Sequence, residues 1–214
     1  MKFPSKVNGQ ILMYHHVTNE PFQSDDYCTC SAVRFEQVLI ELKEDGVSFI
    51  TVDRLLDLLK KKSTEKFVVV TFDDGTEDLF LIAYPILKRM QIPFIVYIVI
   101  DFINRNGYMS DSQLTILNND PLCTIGSHTI SHPVLRYSKN ALNEIVESKK
   151  LLECKFGKPI DHFAYPYGKF VAVSLKNIRM ARKAGYKSAM GTIETKVKKY
   201  HRNFKWYLPR IIVK

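Results

Sequence analysis

Two short segments of this 214-residue chain carry acidic and imidazole side chains at spacings that suit metal-assisted hydrolysis. Asp73 and Asp74 are adjacent, and His128 and His132 lie four residues apart, so that on one helical turn both imidazoles point to the same side. Two imidazole nitrogens and one carboxylate oxygen form a metal site that leaves positions open for water and substrate. We predict that Asp74, His128 and His132 bind a divalent metal, which leaves Asp73 as the neighbouring base.

Residues 67–72 precede the acidic pair and read Phe-Val-Val-Val-Thr-Phe, which is typical of a strand buried on both faces. Carboxylates at the end of a buried strand are unfavourable unless a cation lies beside them. A metal ion is one such cation. On this segment alone, a turn in which Asp73 or Asp74 caps the following helix is an equally good interpretation.

Strand-like and helix-like segments alternate along the chain, which indicates a parallel sheet covered by helices. The predicted strands comprise residues 11–15, 47–51, 67–72, 94–100, 122–126, 163–165, 186–190 and 208–213. The predicted helices follow Ser31 and Asp53 and then comprise residues 79–90, a short stretch within 104–120, 140–156 and 175–184. The candidate core positions of the helix over 140–156 are Leu142, Ile145, Leu151 and Leu152. This pattern fits a doubly wound sheet or a small barrel.

Polar clusters follow four of the predicted strands, at residues 14–16, 73–75, 126–132 and 165–168. In a parallel sheet the carboxyl ends of the strands meet at one edge, where the functional residues of such folds gather. We therefore expect the four clusters to converge. Their shared placement favours a metal site over a simple helix cap at the acidic pair.

Three motifs in this order resemble those of the polysaccharide deacetylases of carbohydrate esterase family 4: residues 71–75 (Thr-Phe-Asp-Asp-Gly), 128–132 (His-Thr-Ile-Ser-His) and 165–168 (Tyr-Pro-Tyr-Gly). The resemblance extends over nearly the whole chain. It implies a single α/β domain over residues 1–214, folded as a distorted (β/α) barrel with about seven parallel strands. It also implies metal-dependent hydrolysis of an N-acetyl group on a sugar, with zinc as the expected ion and cobalt or nickel as alternatives.

Carried over residue by residue, the resemblance implies that Asp74, His128 and His132 hold the metal and that Asp73 is the general base. The backbone N–H of Tyr167 would contribute to an oxyanion hole. These roles agree with the prediction made from the residues alone, and the resemblance adds the acetamido group as the bond to be cleaved.

The chain departs from the family at the third motif, where an Arg that orients the base usually stands and where this sequence has Ala164. Arg210 follows the start of the last predicted strand and could supply the missing cation. We therefore include Arg210 among the candidate catalytic residues.

A second departure concerns the general acid, because the usual C-terminal Leu-x-His triplet is absent from this sequence. The segment Leu12-Met13-Tyr14-His15 instead resembles the permuted arrangement of poly-N-acetylglucosamine deacetylases, in which the acid histidine comes on the first strand. We assign the acid to His15 and interpret His16 as a core or supporting residue. For His15 the alternative is the same structural role.

The resulting hypothesis is an N-deacetylase acting on an amino sugar in a polysaccharide, an oligosaccharide or a lipid-linked precursor, such as one for bacterial surface polysaccharide. The alternative enzyme is a deformylase or another small amide hydrolase on the same scaffold. The alternative from another class is a carbohydrate-binding protein without catalysis.

The formal net charge of +9 is compatible with a phosphate- or lipid-linked glycan and with peripheral membrane contact, and we expect no nucleic acid partner. Basic and aromatic residues alternate over 196–207, a stretch that either contacts substrate or forms a solvated loop. Residues 1–10 contain no apolar segment of the signal-peptide kind. We expect a cytoplasmic protein, with the inner face of the membrane as the alternative and export only if a signal peptide has been removed.

Overall fold

The computed structural model describes residues 8–19, 28–61 and 65–213. Its strands are β1 (Asn8–Tyr14), β2 (His16–Thr18), β3 (Thr29–Ser31), β4 (Ser48–Phe49), β5 (Lys66–Phe72), β6 (Phe94–Ile98), β7 (Cys123–Ser127), β8 (His162–Ala164), β9 (Ser188–Met190) and β10 (Ile211–Ile212). Its α-helices are α1 (Ala32–Glu44), α2 (Val52–Lys60), α3 (Tyr84–Met90), α4 (Asp111–Asn119), α5 (Ala141–Phe156) and α6 (Leu175–Lys183). Within the described residues, no helix is both long enough and apolar enough to cross a bilayer. Residues 1–7, on which the signal-peptide expectation partly depends, lie outside the described residues.

One parallel sheet runs in the order β10-β1-β5-β6-β7-β8-β9, with β4 beside β5. Ile211 of β10 pairs with Leu12 of β1, and Leu208 forms a parallel bridge with Met190 of β9. Residues 208–212, which we call the closing segment, therefore contact both ends of the sheet. The sheet curls into a half-barrel, which confirms the predicted parallel α/β fold with about seven strands.

Strand β5 determines the direction in which the acidic pair points. All of residues 67–72 are buried, as predicted. Residues 68, 70 and 72 pack with the apolar side chains of the surrounding helices, whereas Phe67 and Val69 join a second cluster that contains Tyr97. Because successive side chains alternate between faces, Asp73 continues on the side of Phe67 and Val69.

The predicted helix over residues 79–90 has two parts, a π-helical turn at Leu79–Ala83 and then α3. The N–H of Tyr84 bonds to the carbonyl of Leu79, five residues earlier. Pro85 follows and has no N–H to donate, which explains why the regular ladder is interrupted at this point.

Helix α5 corrects two of the predicted core positions. Ile145 and Leu152 are fully buried, but Leu142 and Leu151 are 52% and 47% exposed. The buried stripe instead comprises Ala141, Glu144, Ile145, Ser148 and Leu152. This spacing follows the helical period of 3.6, which places positions 142 and 151 on the solvent side.

Candidate active site

Asp73 and Arg210 form a buried ion pair at the carboxyl end of β5. Both nitrogens at the end of the Arg210 guanidinium donate to the Asp73 carboxylate, each at 2.6 Å. Arg210 is 0% exposed and Asp73 is 2% exposed. Two parallel charge-assisted bonds fix both the position and the orientation of the carboxylate. The structure thus brings the arginine of the closing segment to the residue that the sequence analysis assigned as the base.

The Arg210 guanidinium is itself held by three further contacts. Its Nε donates to the Gly191 carbonyl at 3.0 Å, and one terminal nitrogen donates to Thr71 Oγ1 at 3.3 Å. Its Cζ lies 5.7 Å from the centre of the Tyr97 ring. Burial raises the pKa of Asp73, but the charge and hydrogen bonds of Arg210, together with the nearby His128 and His15, outweigh burial and hold that pKa below its usual range.

Asp74 points to a different pair of partners. Its Oδ1 lies 3.6 Å from His128 Nε2 and 3.5 Å from His132 Nε2. One donor atom from each of these three residues lies within 4.8 Å of the others. The structure therefore brings together the three residues predicted to bind a metal, and Asp73 Oδ2 lies beside them, 3.8 Å from His128 Nε2.

The donor atoms of this cluster suit a divalent ion. Asp74 Oδ1 is buried without a hydrogen-bond partner, and such an oxygen is unfavourable unless a cation or a donor satisfies it. His128 Nδ1 lies 2.8 Å from the Ala164 carbonyl, so this nitrogen carries the proton and Nε2 is left with a free lone pair. The residue at the position of the family's arginine thus orients a ligand through its backbone.

Backbone strain concentrates around the cluster. Six described residues other than glycine have positive φ angles, and four of them lie in the site: Asp74 (67°), Thr129 (74°), His132 (59°) and Tyr167 (61°). Left-handed conformations are unfavourable for residues with a Cβ and persist where the surrounding structure enforces them. The sequence patterns gave no sign of this strain.

His15 lies at the end of β1 and completes the polar cluster. Its Nε2 is 3.9 Å from Asp73 Oδ2, and its buried Nδ1 has no hydrogen-bond partner. His16 faces away and contacts Asp78 through a 2.7 Å bond from Nδ1 to Oδ2. Thr76 joins the two, because its hydroxyl donates to the His15 carbonyl at 3.0 Å and also bonds to Asp78. The structure places His15 within the site and His16 in a supporting position.

Tyr167 lies on the turn that follows β8. Its ring centre is 4.9 Å from that of His132, and the residue is 57% exposed. The turn is fixed by Thr192, whose hydroxyl donates to the Tyr167 carbonyl at 3.0 Å, and by Tyr207, whose hydroxyl donates to the Gly168 carbonyl at 2.6 Å. The turn thus lies beside His132, at the edge of the predicted metal-binding residues. The role of the Tyr167 N–H in an oxyanion hole stays a prediction.

The two remaining histidines, His162 and His201, form hydrogen bonds away from the site. His162 is buried, with Nδ1 2.9 Å from Ser188 Oγ and Nε2 3.5 Å from Asp53. The Ser188 side chain is fully buried, so this serine–histidine–aspartate series has no surface for a substrate. His201 accepts a hydrogen bond from the Lys198 N–H within its own 3₁₀ turn.

Different residues of the basic and aromatic stretch over 196–207 have different neighbours. The centre of the Trp206 ring lies 4.9 Å from Arg182 Cζ and 4.6 Å from Lys205 Nζ. Arg202 and Lys205 line a cavity of about 610 Å³ together with charged residues of α2. The two interpretations of this stretch stay predictions.

Glu144 is a residue of the site that the sequence analysis missed. It lies on α5, is 9% exposed, and accepts hydrogen bonds from the loop between His128 and His132. A charged residue within the buried stripe of a helix is the signal that could have identified it.

Metal loading is expected to depend on pH through Asp74. Burial and the adjacent Asp73 charge raise the pKa of Asp74 to about 6, whereas burial lowers the pKa of His128 to about 3 and also lowers that of His132. Near pH 6 His128 is therefore neutral, and burial favours the neutral form of His132 as well, so the loss of the Asp74 proton is expected to control binding of an ion. Below this pH the apparent affinity of the metal-free protein for Zn²⁺ should fall by about tenfold per pH unit. Competition titrations from about pH 5 to about pH 8 measure this slope; an affinity that does not change contradicts it.

Comparisons with known proteins agree with the motifs. A family model described as polysaccharide deacetylase matches residues 60–189. YxkH of Bacillus subtilis is 28% identical over 193 residues, which cover 88% of this chain and 65% of YxkH. A poly-beta-1,6-N-acetyl-D-glucosamine N-deacetylase of Staphylococcus aureus is 27% identical over 201 residues, which cover 86% of this chain and 67% of that protein.

The fold is shared with solved structures. The deacetylase PplD of Streptococcus pyogenes, solved in complex with acetate, superposes with a TM-score of 0.84 at 23% identity. The match covers 99% of this chain and 93% of that chain. The chain spans about two thirds of the length of the two relatives compared by sequence, 65% of one and 67% of the other.

Proposed function

Because the chain belongs to the polysaccharide deacetylase family, we propose that it is a metal-dependent hydrolase that removes the N-acetyl group from an amino sugar in a glycan. The observation that carries the proposal is that two adjacent carboxylates have different partners. Arg210 binds Asp73, whereas Asp74 turns its unpartnered oxygen toward His128 and His132.

Asp74, His128 and His132 would hold the ion, with zinc as the expected metal and cobalt or nickel as alternatives. A divalent ion in such a site polarises a carbonyl and lowers the pKa of water. The remaining steps belong to side chains and backbone of the chain. Asp73, ionised at neutral pH, accepts the proton of the attacking water. The Tyr167 N–H donates to the oxygen on which negative charge develops.

His15 delivers a proton to the leaving amine in this proposal. The support is the position of its Nε2, 3.9 Å from Asp73 Oδ2, together with an Nδ1 that has no hydrogen-bond partner. An amine leaves as a neutral group only when it is protonated, so an acid is needed at the end of the reaction.

His15→Ala is expected to lower amide turnover by about a hundredfold or more. The effect should be much smaller for an aryl acetate, because an aryl oxide leaves without protonation. Rates for an N-acetylated sugar oligomer and for an aryl acetate measure the difference. His16→Ala is the matched control, since His16 contacts Asp78 instead of Asp73, and it should keep most of the turnover. Equal losses on both substrates contradict the role of His15 as an acid.

The substrate proposed is poly-N-acetylglucosamine or a related surface polysaccharide, supported by the similarity to the poly-beta-1,6-N-acetyl-D-glucosamine N-deacetylase of Staphylococcus aureus. The test is acetate release from N-acetylglucosamine oligomers and from nucleotide- and lipid-linked N-acetyl sugars, with metal-free and metal-restored protein. Release that requires metal supports the proposal. Formate release from N-formyl sugars alone would favour a deformylase, and glycan binding without release would favour a binding protein.

A phosphate- or lipid-linked substrate and contact with the inner face of a membrane belong to the same proposal. Their support is the net charge of +9, which favours anionic surfaces. The test is sedimentation of the protein with anionic and with zwitterionic vesicles. Sedimentation with the anionic vesicles alone indicates a charge-driven association, and sedimentation with neither contradicts membrane contact.

A further inference from the structure

The loop that joins the two histidine ligands is bound by one acidic side chain from a neighbouring helix. Glu144 Oε2 accepts the N–H groups of Ile130 and Ser131, at 2.9 and 3.0 Å. Glu144 Oε1 accepts the Ser131 hydroxyl at 2.7 Å. All three donors thus lie between His128 and His132, and both carboxylate oxygens are used.

We propose that Glu144 is a positioning residue that sets the geometry of the His128–His132 ligand pair and thereby the affinity for the metal. The inference rests on the proposed metal-dependent function. Glu144 does not contact the ion site itself; it acts through the loop that carries two of the three ligands.

The conformation of the loop explains why it needs an anchor. Thr129 and His132 both adopt left-handed backbone angles, at either end of the two residues that Glu144 binds. Consecutive N–H groups next to a left-handed residue converge on one point and form a small anion-binding concavity. The Glu144 carboxylate occupies this concavity, so it holds the conformation that turns the His132 imidazole toward Asp74.

Contacts that do not involve Glu144 also hold the loop, so loss of Glu144 should loosen the loop without unfolding it. The N–H of Asp101 donates to the Ile130 carbonyl at 2.9 Å, and the N–H of His132 donates to Thr129 Oγ1 at 3.0 Å. Helix α5 is also fixed independently, because Ser148 bonds to Ser127 at the end of β7 at 2.8 Å. The effect of a Glu144 variant should therefore appear in metal geometry more than in folding.

Glu144→Gln tests the inference, since it keeps the shape but presents an amide group to backbone donors. The matched control is Glu147→Gln on the same helix, where the carboxylate is exposed and pairs with Lys150. We expect Glu144→Gln to weaken Zn²⁺ binding by about 10- to 100-fold, the range found for groups that support metal ligands, and Glu147→Gln to leave it unchanged. Zn²⁺ affinity from competition with a chromophoric chelator is the primary measurement.

Two further measurements separate positioning from general stability. The visible absorption of the Co²⁺ form should change in Glu144→Gln, because the ligand angles change, whereas a merely structural role would shift only the melting temperature of the metal-free protein. Ser131→Ala, which removes the bond to Glu144 Oε1 and keeps the two backbone bonds to Oε2, should give a smaller loss in the same direction. It serves as the test if Glu144→Gln does not fold.

The outcomes are distinct. Wild-type affinity and an unchanged Co²⁺ spectrum in both variants overturn the role of Glu144 and leave the proposed function intact. If the wild-type protein binds neither Zn²⁺ nor Co²⁺, the metal-dependent function is wrong and the positioning role is wrong with it.

Discussion

Asp73→Asn is expected to lower amide turnover by about 10³- to 10⁴-fold while metal affinity stays close to that of the wild type. Asparagine has the shape of aspartate but cannot accept a proton at neutral pH. Asp73 Oδ2 is 3.8 Å from His128 Nε2, but the unpartnered oxygen that faces both imidazoles belongs to Asp74. Steady-state turnover and Zn²⁺ affinity of the same preparation measure both expectations.

Asp74→Asn is the matched comparison, because it makes the same chemical change at the adjacent position. It should lower metal affinity and turnover together, and excess metal should restore part of the turnover. Excess metal should not restore Asp73→Asn. Equal losses of affinity in the two variants, or wild-type turnover in Asp73→Asn, contradict the assignment of separate roles to the two carboxylates.

Arg210→Ala is expected to destabilise the metal-free protein by about 3–5 kcal/mol, because removal of one partner leaves the other as an unpaired buried charge. Both side chains are at most 3% exposed, so solvent screens the interaction little. The pKa of Asp73 is lowered in the folded state, so the pair stabilises the protein above the unfolded pKa of about 4, and this contribution is lost as the pH falls. Urea unfolding of both proteins at neutral and at acidic pH should show the difference shrinking with acidification.

The same substitution should change the pH dependence of turnover. Without Arg210, the main group that lowers the pKa of Asp73 is lost while burial still raises it, so the base is protonated at a higher pH than in the wild type. The acidic limb of the pH–rate profile should move to higher pH. Part of the lost turnover should return at alkaline pH. Arg210→Lys keeps the charge but has fewer donors. Its stability and pH–rate profile should lie between those of the wild type and of Arg210→Ala. A variant with the wild-type profile and stability contradicts the role of Arg210.

The sequence predicted those parts of the fold that depend on local pattern. The apolar run before Asp73 identified β5, and the alternation of strands and helices identified a parallel sheet. Because parallel strands end at one edge, the convergence of His15, Asp73 and His128 followed from the order of elements alone. The motifs that carry the family resemblance lie at these same strand ends.

The features that the sequence analysis missed depend on contacts between distant residues or on backbone groups. The approach of Arg210 to Asp73 requires the closing segment to reach β1, and Arg210 was included only as a substitute for the residue missing at Ala164. Glu144 was overlooked because two of its three partners are backbone N–H groups, which leave no trace in residue types. The small sheet formed by β2 and β3 was also missed, since each strand has only three residues.

The closing segment has a consequence for how the chain folds. Asp73 and Arg210 are separated by 137 positions, so their contact is among those formed late, after a large loop has closed. Until the closing segment docks between β9 and β1, burial of Asp73 would leave a bare charge in the interior, which is strongly unfavourable. We therefore expect docking of the closing segment and assembly of the base to be coupled, so that a partly folded chain in which this segment has not docked is catalytically silent.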